Sequence, residues 1–240
     1  GRGLLSPRTN RESPEVTVTA LIPAAGRGVR LGADEPKAFV DVCGRPMLTR
    51  AVSGVLALGV VDRVVVMVPA DLVDATAALV PESVRVIAGG AERIDSVRAG
   101  LQTLTDGDPD DIVLVHDAAR CLTPAAVFER VVAAAGDRYW AGAIPGIPVA
   151  DTIKTVNAAG GVTGTPQRSG LRAIQTPQGF RLDVLRRAYA QNGLDDVATD
   201  DAGLVEAMGG AVRVVAGDPL AFKITTEWDL RTAERVLVAE

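Results

Sequence analysis

The sequence is poor in aromatic residues and acidic overall. Aromatic side chains make up 3% of its 240 residues, so it offers few of the stacking surfaces that bind single-stranded nucleic acid. Its formal net charge is -5, so it also lacks the broad positive field of a duplex-binding protein. We therefore expect no nucleic-acid partner. Any phosphate-bearing ligand must be met by a few placed cations.

Cysteine and histidine are scarce, and long apolar runs are missing. The two cysteines, Cys43 and Cys121, form no C-x-x-C pair and are expected to be thiols in a reducing cytoplasm. The single histidine leaves no evident Ser-His-Asp or Cys-His set, and no cluster has zinc spacing. No stretch approaches the ~20 apolar residues of a membrane span, so we expect a cytoplasmic protein without a membrane partner.

The chain is predicted to contain one domain behind a short leader. Residues 1–15 are polar, include two prolines and lack the apolar stretch of a signal peptide. They are typical of a disordered leader or of a remnant left by expression. Residues 16–240 are long enough to bury a full core, and 48% of the whole chain is hydrophobic. We expect them to form a single domain.

Apolar strands alternate with helices over the first 140 residues. Apolar runs predict strands at residues 16–23, 63–69, 84–88 and 111–116. Helical spacing predicts helices at residues 47–58, 71–80 and 92–104, and a helix from Pro124 to about Ala135 with Thr123 as its capping hydroxyl. This order predicts an α/β fold, with a mostly parallel twisted sheet and helices on both faces.

The pattern changes after Ala141. Residues 149–156, a turn at 157–164 and residues 165–175 favour a β-arm, at about residues 147–172, over another strand-helix unit. Such an arm is typical of a dimer contact, and a surface flap is the alternative. Helices follow near residues 182–191 and 200–208, and then a strand at 212–215. Thr226 and Asp229 resemble a capping box that opens the last helix.

The end of the first predicted strand carries the glycine-rich segment PAAGRGVR at residues 23–30. Open α/β sheets bind ligands at this edge, and small residues let the backbone approach an anion closely. Arg30 and Lys37 add positive charge nearby. Both standard nucleotide motifs fail, since Lys37 does not follow a glycine and Leu31 stands where a dinucleotide fingerprint needs its third glycine. A glycine-rich turn with solvated cations is the alternative.

Two further segments place polar groups where they could meet the same ligand. Asp117, in HDAAR at residues 116–120, could hold a magnesium–triphosphate complex directly or through water, or bind a hydroxyl. Arg120 is the second candidate there, whereas His116 is expected to be a structural hydrogen-bonding group. The GGAERIDS segment at residues 89–96 either presents N–H groups to a ligand or forms a simple turn. Cations with one or two carboxylates suit phosphoryl chemistry.

These motifs together resemble a known family. PAAGxGxR, PK, GGxERxDS, HDAAR, DTIK, QTPQ and KIT occur in this order, from about Thr19 to the last helix. The set resembles the 2-C-methyl-D-erythritol 4-phosphate cytidylyltransferases of non-mevalonate isoprenoid synthesis. The resemblance implies a Rossmann-like nucleotidyltransferase fold, a homodimer joined by the β-arm, and Mg²⁺ as cofactor. It also implies CMP transfer from CTP to 2-C-methyl-D-erythritol 4-phosphate, with pyrophosphate release, by direct in-line attack of the acceptor phosphate.

The resemblance further implies site residues, by motif. The catalytic residues would be Arg30 and Lys37, which stabilise charge on the α-phosphate, and Arg168 and Lys223, which position the acceptor phosphate. The nucleotide would be held by Pro23, Ala24, Ala25, Gly26, Gly28, Gly90, Asp95, Ser96, Asp117 and Ala118. The acceptor would contact Asp117, Arg120, Thr152, Arg168, Thr176 and Lys223, with Thr152 and Arg168 coming from the partner's arm. Magnesium would lie near Asp117.

Some positions depart from the family pattern, and other functions stay open. Ala91, Cys121 and the pair Ala221-Phe222 stand where an acidic residue, a proline and Asn-Ile are more common, which affects fine contacts. The alternative acceptors are ribitol 5-phosphate and other polyol phosphates. A sugar-1-phosphate nucleotidyltransferase is a further alternative. A non-catalytic nucleotide sensor would bind CTP without releasing pyrophosphate.

Overall fold

In a computed structural model that describes residues 16–26, 36–191 and 199–239, the chain is built around one eight-stranded sheet. In chain order the strands are β1 (Val18–Pro23), β2 (Asp41–Val42), β3 (Arg45–Pro46), β4 (Arg63–Val68), β5 (Val84–Ala88), β6 (Ile112–Val115), β7 (Gly142–Pro148), β8 (Thr155–Val156), β9 (Val162–Gly164), β10 (Arg172–Ile174), β11 (Gln178–Arg181) and β12 (Val212–Ala216). The helices are α1 (Met47–Leu56), α2 (Val73–Ala77), α3 (Arg93–Gln102), α4 (Ala125–Ala135), α5 (Leu182–Tyr189), α6 (Asp201–Ala207) and α7 (Glu227–Ala239). The predicted leader, residues 1–15, lies outside the described residues.

The sheet is mostly parallel. Strands β5, β4, β1 and β6 lie side by side and run in one direction. Strand β11 pairs antiparallel with both β6 and β7, and β10 pairs antiparallel with the far end of β7. Strand β12 pairs parallel with β7, along the edge of β7 that faces away from β10 and β11. The predicted mixed α/β fold with a mostly parallel sheet is therefore confirmed.

Helices cover both faces of the sheet, which explains why the central strands β1, β4 and β6 are almost entirely apolar and buried. In β1, Ile22 packs in the cluster that contains Val52 of α1 and Phe128 of α4. Its neighbour Leu21 points to the opposite face and packs in the cluster that contains Val97 of α3. Successive strand side chains alternate between faces, so each face buries every second residue. The carboxyl ends of the strands are left for a site.

Two helix starts show how local hydrogen bonds decide a boundary. The capping box of α7 is confirmed, since Asp229 Oδ2 accepts the Thr226 N–H at 2.8 Å and Asp229 N–H donates to Thr226 Oγ1 at 3.2 Å. The predicted cap at Thr123 is wrong, because its hydroxyl donates to the Arg120 carbonyl at 2.7 Å and Pro124 caps α4 without a side-chain bond. The helix predicted at residues 71–80 is shorter in the structure: a 3-10 turn occupies Ala70–Leu72, and α2 spans only Val73–Ala77.

Between β7 and β10 the chain leaves the sheet, in the region for which an arm is predicted. Strands β8 and β9 pair antiparallel, and Asn157 Oδ1 accepts the Gly161 N–H in the turn between them at 2.8 Å. Ile153, Val156 and Val162 expose 38%, 59% and 63% of their surface, so this short segment carries three apolar side chains that its own chain leaves open to solvent. The role of this arm in a dimer stays a prediction.

Among the described residues, no helix combines the length and the apolar character that a membrane span requires. Both cysteines are unpaired, as expected, with Cys43 exposed and Cys121 half-buried. Burial raises the pKa of the Cys121 thiol to about 11, so this thiol stays protonated at neutral pH.

Two glycines should respond oppositely to alanine. A Cβ at Gly142 of β7 would lie 2.2 Å from the Phe180 ring, which is fully buried in β11. Gly142→Ala should therefore destabilise the fold by about 1–3 kcal/mol. Gly54 of α1 has no atom within 4 Å of its Cβ position, so Gly54→Ala should stabilise the helix by about 0.5–1 kcal/mol. Urea unfolding followed by circular dichroism measures both, and a neutral Gly142→Ala would contradict the β7–β11 packing.

Candidate active site

A cleft of about 620 Å³ opens at the carboxyl ends of β1 and β6. A volume of this size is typical of small-molecule sites. The cleft is lined by residues from six segments: Pro23, Ala24, Ala25, Gly26, Lys37, Ala38, Met47, Ala91, Glu92, Arg93, Ser96, Asp117, Ala118, Ala119 and Lys223. Most of the predicted nucleotide-binding residues in the described part of the chain are therefore brought together.

The glycine-rich segment begins where β1 ends. The N–H of Ala24 donates to the Met67 carbonyl of β4 at 2.7 Å, which fixes the direction in which the chain leaves the sheet. Gly26 is exposed and borders the cleft. Lys37 returns to the same cleft from a short 3-10 turn, Lys37–Phe39. Gly28 and Arg30, both predicted site residues, lie outside the described residues.

The second glycine pair forms a tight loop before α3. A Cβ at Gly90 would lie 2.1 Å from the Asp95 Cβ, and one at Gly89 would lie 2.7 Å from Ser96 Oγ. Ser96 Oγ accepts the Gly90 N–H at 3.1 Å and donates to the Glu92 carbonyl at 3.1 Å. Asp95 Oδ2 accepts the Glu92 N–H at 3.3 Å. Ser96 lines the cleft, whereas Gly90 and Asp95 are not among the lining residues and shape the loop beside it.

Asp117 is a buried carboxylate among cations. Arg93 Nε lies 3.1 Å from its Oδ1, Lys223 Nζ lies 2.8 Å from its Oδ2, and Arg120 Nε lies 3.9 Å from Oδ2. Burial alone would raise its pKa, but the charges of Arg93 and Lys223 outweigh burial and hold the pKa well below its usual range. Asp117 is therefore ionised at neutral pH. Its neighbour Ala118 also lines the cleft.

A second carboxylate lies behind Arg93, where the sequence did not indicate one. Arg93 Nη2 lies 2.7 Å from Oδ2 of Asp201, which is fully buried at the start of α6. The Tyr189 hydroxyl donates to Asp201 Oδ1 at 2.5 Å. Burial would lower the pKa of Arg93, but Asp201 and Asp117 raise it further, so the guanidinium keeps its charge. Burial, reinforced by the charge of Asp201, raises the pKa of Tyr189.

Arg120, predicted to bind the acceptor, contacts protein carbonyls. Its Nη1 donates to the Ala221 carbonyl at 2.6 Å and its Nη2 to the Ile174 carbonyl at 3.3 Å. These bonds tie the turn after Asp117 to β10 and to the segment that precedes Lys223. Arg120 is not among the residues that line the cleft. The geometry gives it a part in shaping the site.

Thr176, also predicted to bind the acceptor, is buried and holds Asp117 in place. Its hydroxyl accepts the Asp117 N–H at 3.0 Å and lies 3.1 Å from His116 Nδ1. His116 packs against Phe128, with ring centroids 4.9 Å apart. Burial lowers the pKa of His116 to about 4, so the ring is neutral at physiological pH. The expected structural role of His116 agrees with this arrangement.

The two glutamines of QTPQ also bind the protein. Gln175 forms two hydrogen bonds to the backbone of Asp218. Its Nε2 donates to the Asp218 carbonyl at 2.7 Å, and its Oε1 accepts the Asp218 N–H at 3.0 Å. Gln178 donates to Asp200 Oδ2 at 2.8 Å and accepts the Ala202 N–H at 3.0 Å, at the start of α6. The motif therefore fixes the segment leading to Lys223 and the helix that begins with Asp201.

The two predicted site residues of the arm are exposed. Arg168 Nη1 donates to the Ala150 carbonyl at 2.7 Å, within the arm itself. Thr152 is exposed in the same arm. Neither is among the residues that line the cleft of its own chain. The cleft that this chain does form is lined by Lys37, Lys223, the ionised Asp117 and several small residues, and it can accommodate a polyphosphate and its counter-ion.

Comparison with known proteins agrees with this geometry. The model of the family described as 2-C-methyl-D-erythritol 4-phosphate cytidylyltransferase matches residues 18–239. A protein of that name from Nocardia farcinica is 60% identical over 225 residues, which cover 92% of this chain and 94% of that protein. One from Rhodococcus opacus is also 60% identical over 225 residues, with 93% and 96% covered.

A solved structure supports the same assignment. The 2-C-methyl-D-erythritol 4-phosphate cytidylyltransferase from Francisella tularensis has a TM-score of 0.81 at 27% identity, and the match covers 91% of this chain and 99% of that one. The predicted nucleotidyltransferase fold is confirmed by this likeness. From the family match over nearly the whole chain and the relatives at 60% identity, the chain belongs to the 2-C-methyl-D-erythritol 4-phosphate cytidylyltransferase family.

Proposed function

We propose that this chain transfers CMP from CTP to 2-C-methyl-D-erythritol 4-phosphate and releases pyrophosphate. The observation that carries the proposal is the cleft that Lys37 and Lys223 line together with the ionised Asp117, whose Oδ2 lies 2.8 Å from Lys223 Nζ. Phosphoryl transfer depends mainly on positioning and electrostatic stabilisation, which such a set of side chains supplies. Membership of the family identifies the nucleotide and the acceptor.

In the proposed reaction a phosphate oxygen of the acceptor attacks the α-phosphorus of CTP. The new P–O bond forms as the bond to the β-phosphate breaks, so pyrophosphate leaves and 4-diphosphocytidyl-2-C-methyl-D-erythritol forms. Lys37, together with Arg30, stabilises the charge that develops on the α-phosphate. The backbone at residues 23–26, with Gly28, and the loop of Gly90, Asp95 and Ser96 hold the nucleotide.

The acceptor phosphate binds beside Lys223. Lys223 Nζ, 2.8 Å from Asp117 Oδ2, is 42% exposed and provides a cation for that phosphate. Asp117 accepts from a hydroxyl of the acceptor. Arg120 and Thr176 support this pocket through the backbone groups that they already bind.

Magnesium is proposed to arrive with the nucleotide. Both oxygens of Asp117 already contact cations, Arg93 at 3.1 Å and Lys223 at 2.8 Å, which disfavours direct metal coordination. In the described part of the chain, no group of three or more His, Cys, Asp or Glu residues could hold an ion. Mg²⁺ commonly binds through substrate phosphates and few protein ligands. We therefore assign the Mg²⁺ ligands mainly to CTP, with Asp117 acting through water.

We also propose a homodimer in which the arm completes the partner's site. The proposal is supported by the exposed apolar side chains of Ile153, Val156 and Val162, and by the position of Arg168 and Thr152 away from their own cleft. A second chain would cover the apolar residues and receive Arg168 and Thr152 beside the acceptor phosphate.

The proposed location is the cytoplasm. Cys43 and Cys121 are unpaired thiols, and the cytoplasm keeps such thiols reduced. The substrates, a nucleotide and a phosphorylated polyol, are charged metabolites of that compartment.

Pyrophosphate release tests the proposed reaction. With CTP, Mg²⁺ and 2-C-methyl-D-erythritol 4-phosphate, we expect release at a rate at least about tenfold above that with ribitol 5-phosphate, because a polar site rejects an acceptor whose hydroxyls are misplaced. Equal or faster release with ribitol 5-phosphate would reassign the acceptor. Binding of CTP without release of pyrophosphate would favour the alternative of a non-catalytic nucleotide sensor.

Mixing two inactive variants tests the shared site. Arg168→Ala and Lys37→Ala homodimers should each lose most activity, because every site lacks one group. Their heterodimers would contain one intact site, so an equimolar mixture should recover about a quarter of the wild-type rate. A mixture as inactive as its parents, with exchange verified by native mass spectrometry, would show that Arg168 acts in its own chain.

A further inference from the structure

We infer that Asp201 and Tyr189 are positioning residues, which act through Arg93 on the carboxylate of Asp117. The inference rests on the proposed function, because the step that it affects is the use of the acceptor phosphate. None of the motifs that carry the family resemblance includes either residue. Their part in the site follows from contacts alone.

The contacts form an unbroken chain from the core to the cleft. The Tyr189 hydroxyl bonds Asp201 Oδ1 at 2.5 Å, and Asp201 Oδ2 meets Arg93 Nη2 at 2.7 Å. Arg93 Nε then meets Asp117 Oδ1 at 3.1 Å. Asp201 is 0% exposed and Tyr189 is 6% exposed, so packing fixes the two residues at the end of this series of contacts that lies farthest from the cleft. Because a guanidinium is planar and rigid, holding Nη2 also fixes the direction of Nε.

The charges explain why this anchor matters. Arg93 offers one positive charge to two carboxylates, Asp117 and Asp201, and Lys223 supplies the second cation on the Asp117 side. A buried carboxylate that loses its partner is strongly destabilised. Arg93 therefore cannot leave either carboxylate without a large cost, and it stays between them.

The two cationic partners of Asp117 differ in how far their side chains can move. Lys223 is 42% exposed and ends a flexible chain, so an incoming phosphate can draw its ammonium away from Asp117. Arg93 is 33% exposed and is held from behind by Asp201. When Lys223 turns to phosphate, the orientation of Asp117 depends on Arg93. Loosening Arg93 should then impair use of the acceptor more than binding of CTP.

Steady-state kinetics of Asp201→Asn test this role. Asparagine keeps the size of the side chain and can still accept from Tyr189, but it removes the charge that holds Arg93. We expect kcat/KM for 2-C-methyl-D-erythritol 4-phosphate to fall roughly tenfold to a hundredfold, as for a misplaced catalytic group. The KM for CTP should change by less than about twofold, because Asp201 does not touch the cleft.

The matched control is Asp200→Asn, the same change one residue earlier. Asp200 caps α6 by accepting the Gly203 N–H at 2.9 Å, and its other oxygen accepts from Gln178 Nε2 at 2.8 Å. Asparagine keeps the cap but weakens the bond from Gln178, so it loosens the start of α6 without touching Arg93. This variant should keep wild-type kinetics, which separates loss of the Arg93 anchor from a general loosening of α6. Equal losses in the two variants would overturn the positioning role.

A double variant separates positioning from stability. Arg93→Ala leaves Asp201 buried without its cation, so its Tm should fall, and Arg93→Ala with Asp201→Asn should regain most of that loss. Activity should not return, because Asp117 still lacks Arg93. Wild-type activity in Asp201→Asn, or restored activity in the double variant, would overturn the inference alone. An inactive wild-type protein would instead remove the proposed function, and this role with it.

Discussion

The arrangement of the site depends on keeping the Asp117 carboxylate ionised although it is buried. Removing a charge from water costs several kcal/mol unless partners compensate, and here the partners come from distant parts of the chain. Arg93 begins α3, Lys223 precedes α7, and Thr176 lies between β10 and β11. A parallel sheet brings strand ends to one edge, so the fold makes this meeting possible.

Many of the hydrogen bonds around the cleft position the groups that surround Asp117. Gln175 fixes the backbone of Asp218, upstream of Lys223, and Arg120 ties the turn after Asp117 to Ala221. Gln178 holds the start of α6, where Asp201 backs Arg93. Arg120, Gln175 and Gln178, which belong to motifs of the family pattern, are thus internal supports of the site. Among the described residues that line the cleft, the groups that we propose for the ligand are the backbone at residues 23–26, Lys37 and Lys223.

The sequence predicted the fold well because hydrophobic periodicity and strand ends are local signals. It placed β5 at the correct residues and grouped Pro23, Lys37 and Asp117 at one edge. Prediction from the sequence failed where a competing local hydrogen bond sets a helix boundary, or where the partner of a side chain lies far away in the sequence. The Thr123 hydroxyl found a nearby carbonyl instead of a helix end, and Asp201 lies 108 residues from Arg93, so no spacing rule connects them. The arginine in GGxERxDS was an available signal, because an arginine that becomes buried beside a ligand loop is usually paired with a carboxylate.

A crystal structure with CTP, Mg²⁺ and the acceptor would show whether Arg93 holds Asp117 in place when both substrates are bound. We expect Arg93 Nε to keep its contact with Asp117 Oδ1, at 3.1 Å here, while Lys223 Nζ moves from Asp117 to a phosphate oxygen. Water should separate Asp117 from Mg²⁺. Arg93 turned to phosphate, with Asp117 bound directly to the metal, would show that Arg93 does not hold this carboxylate in place.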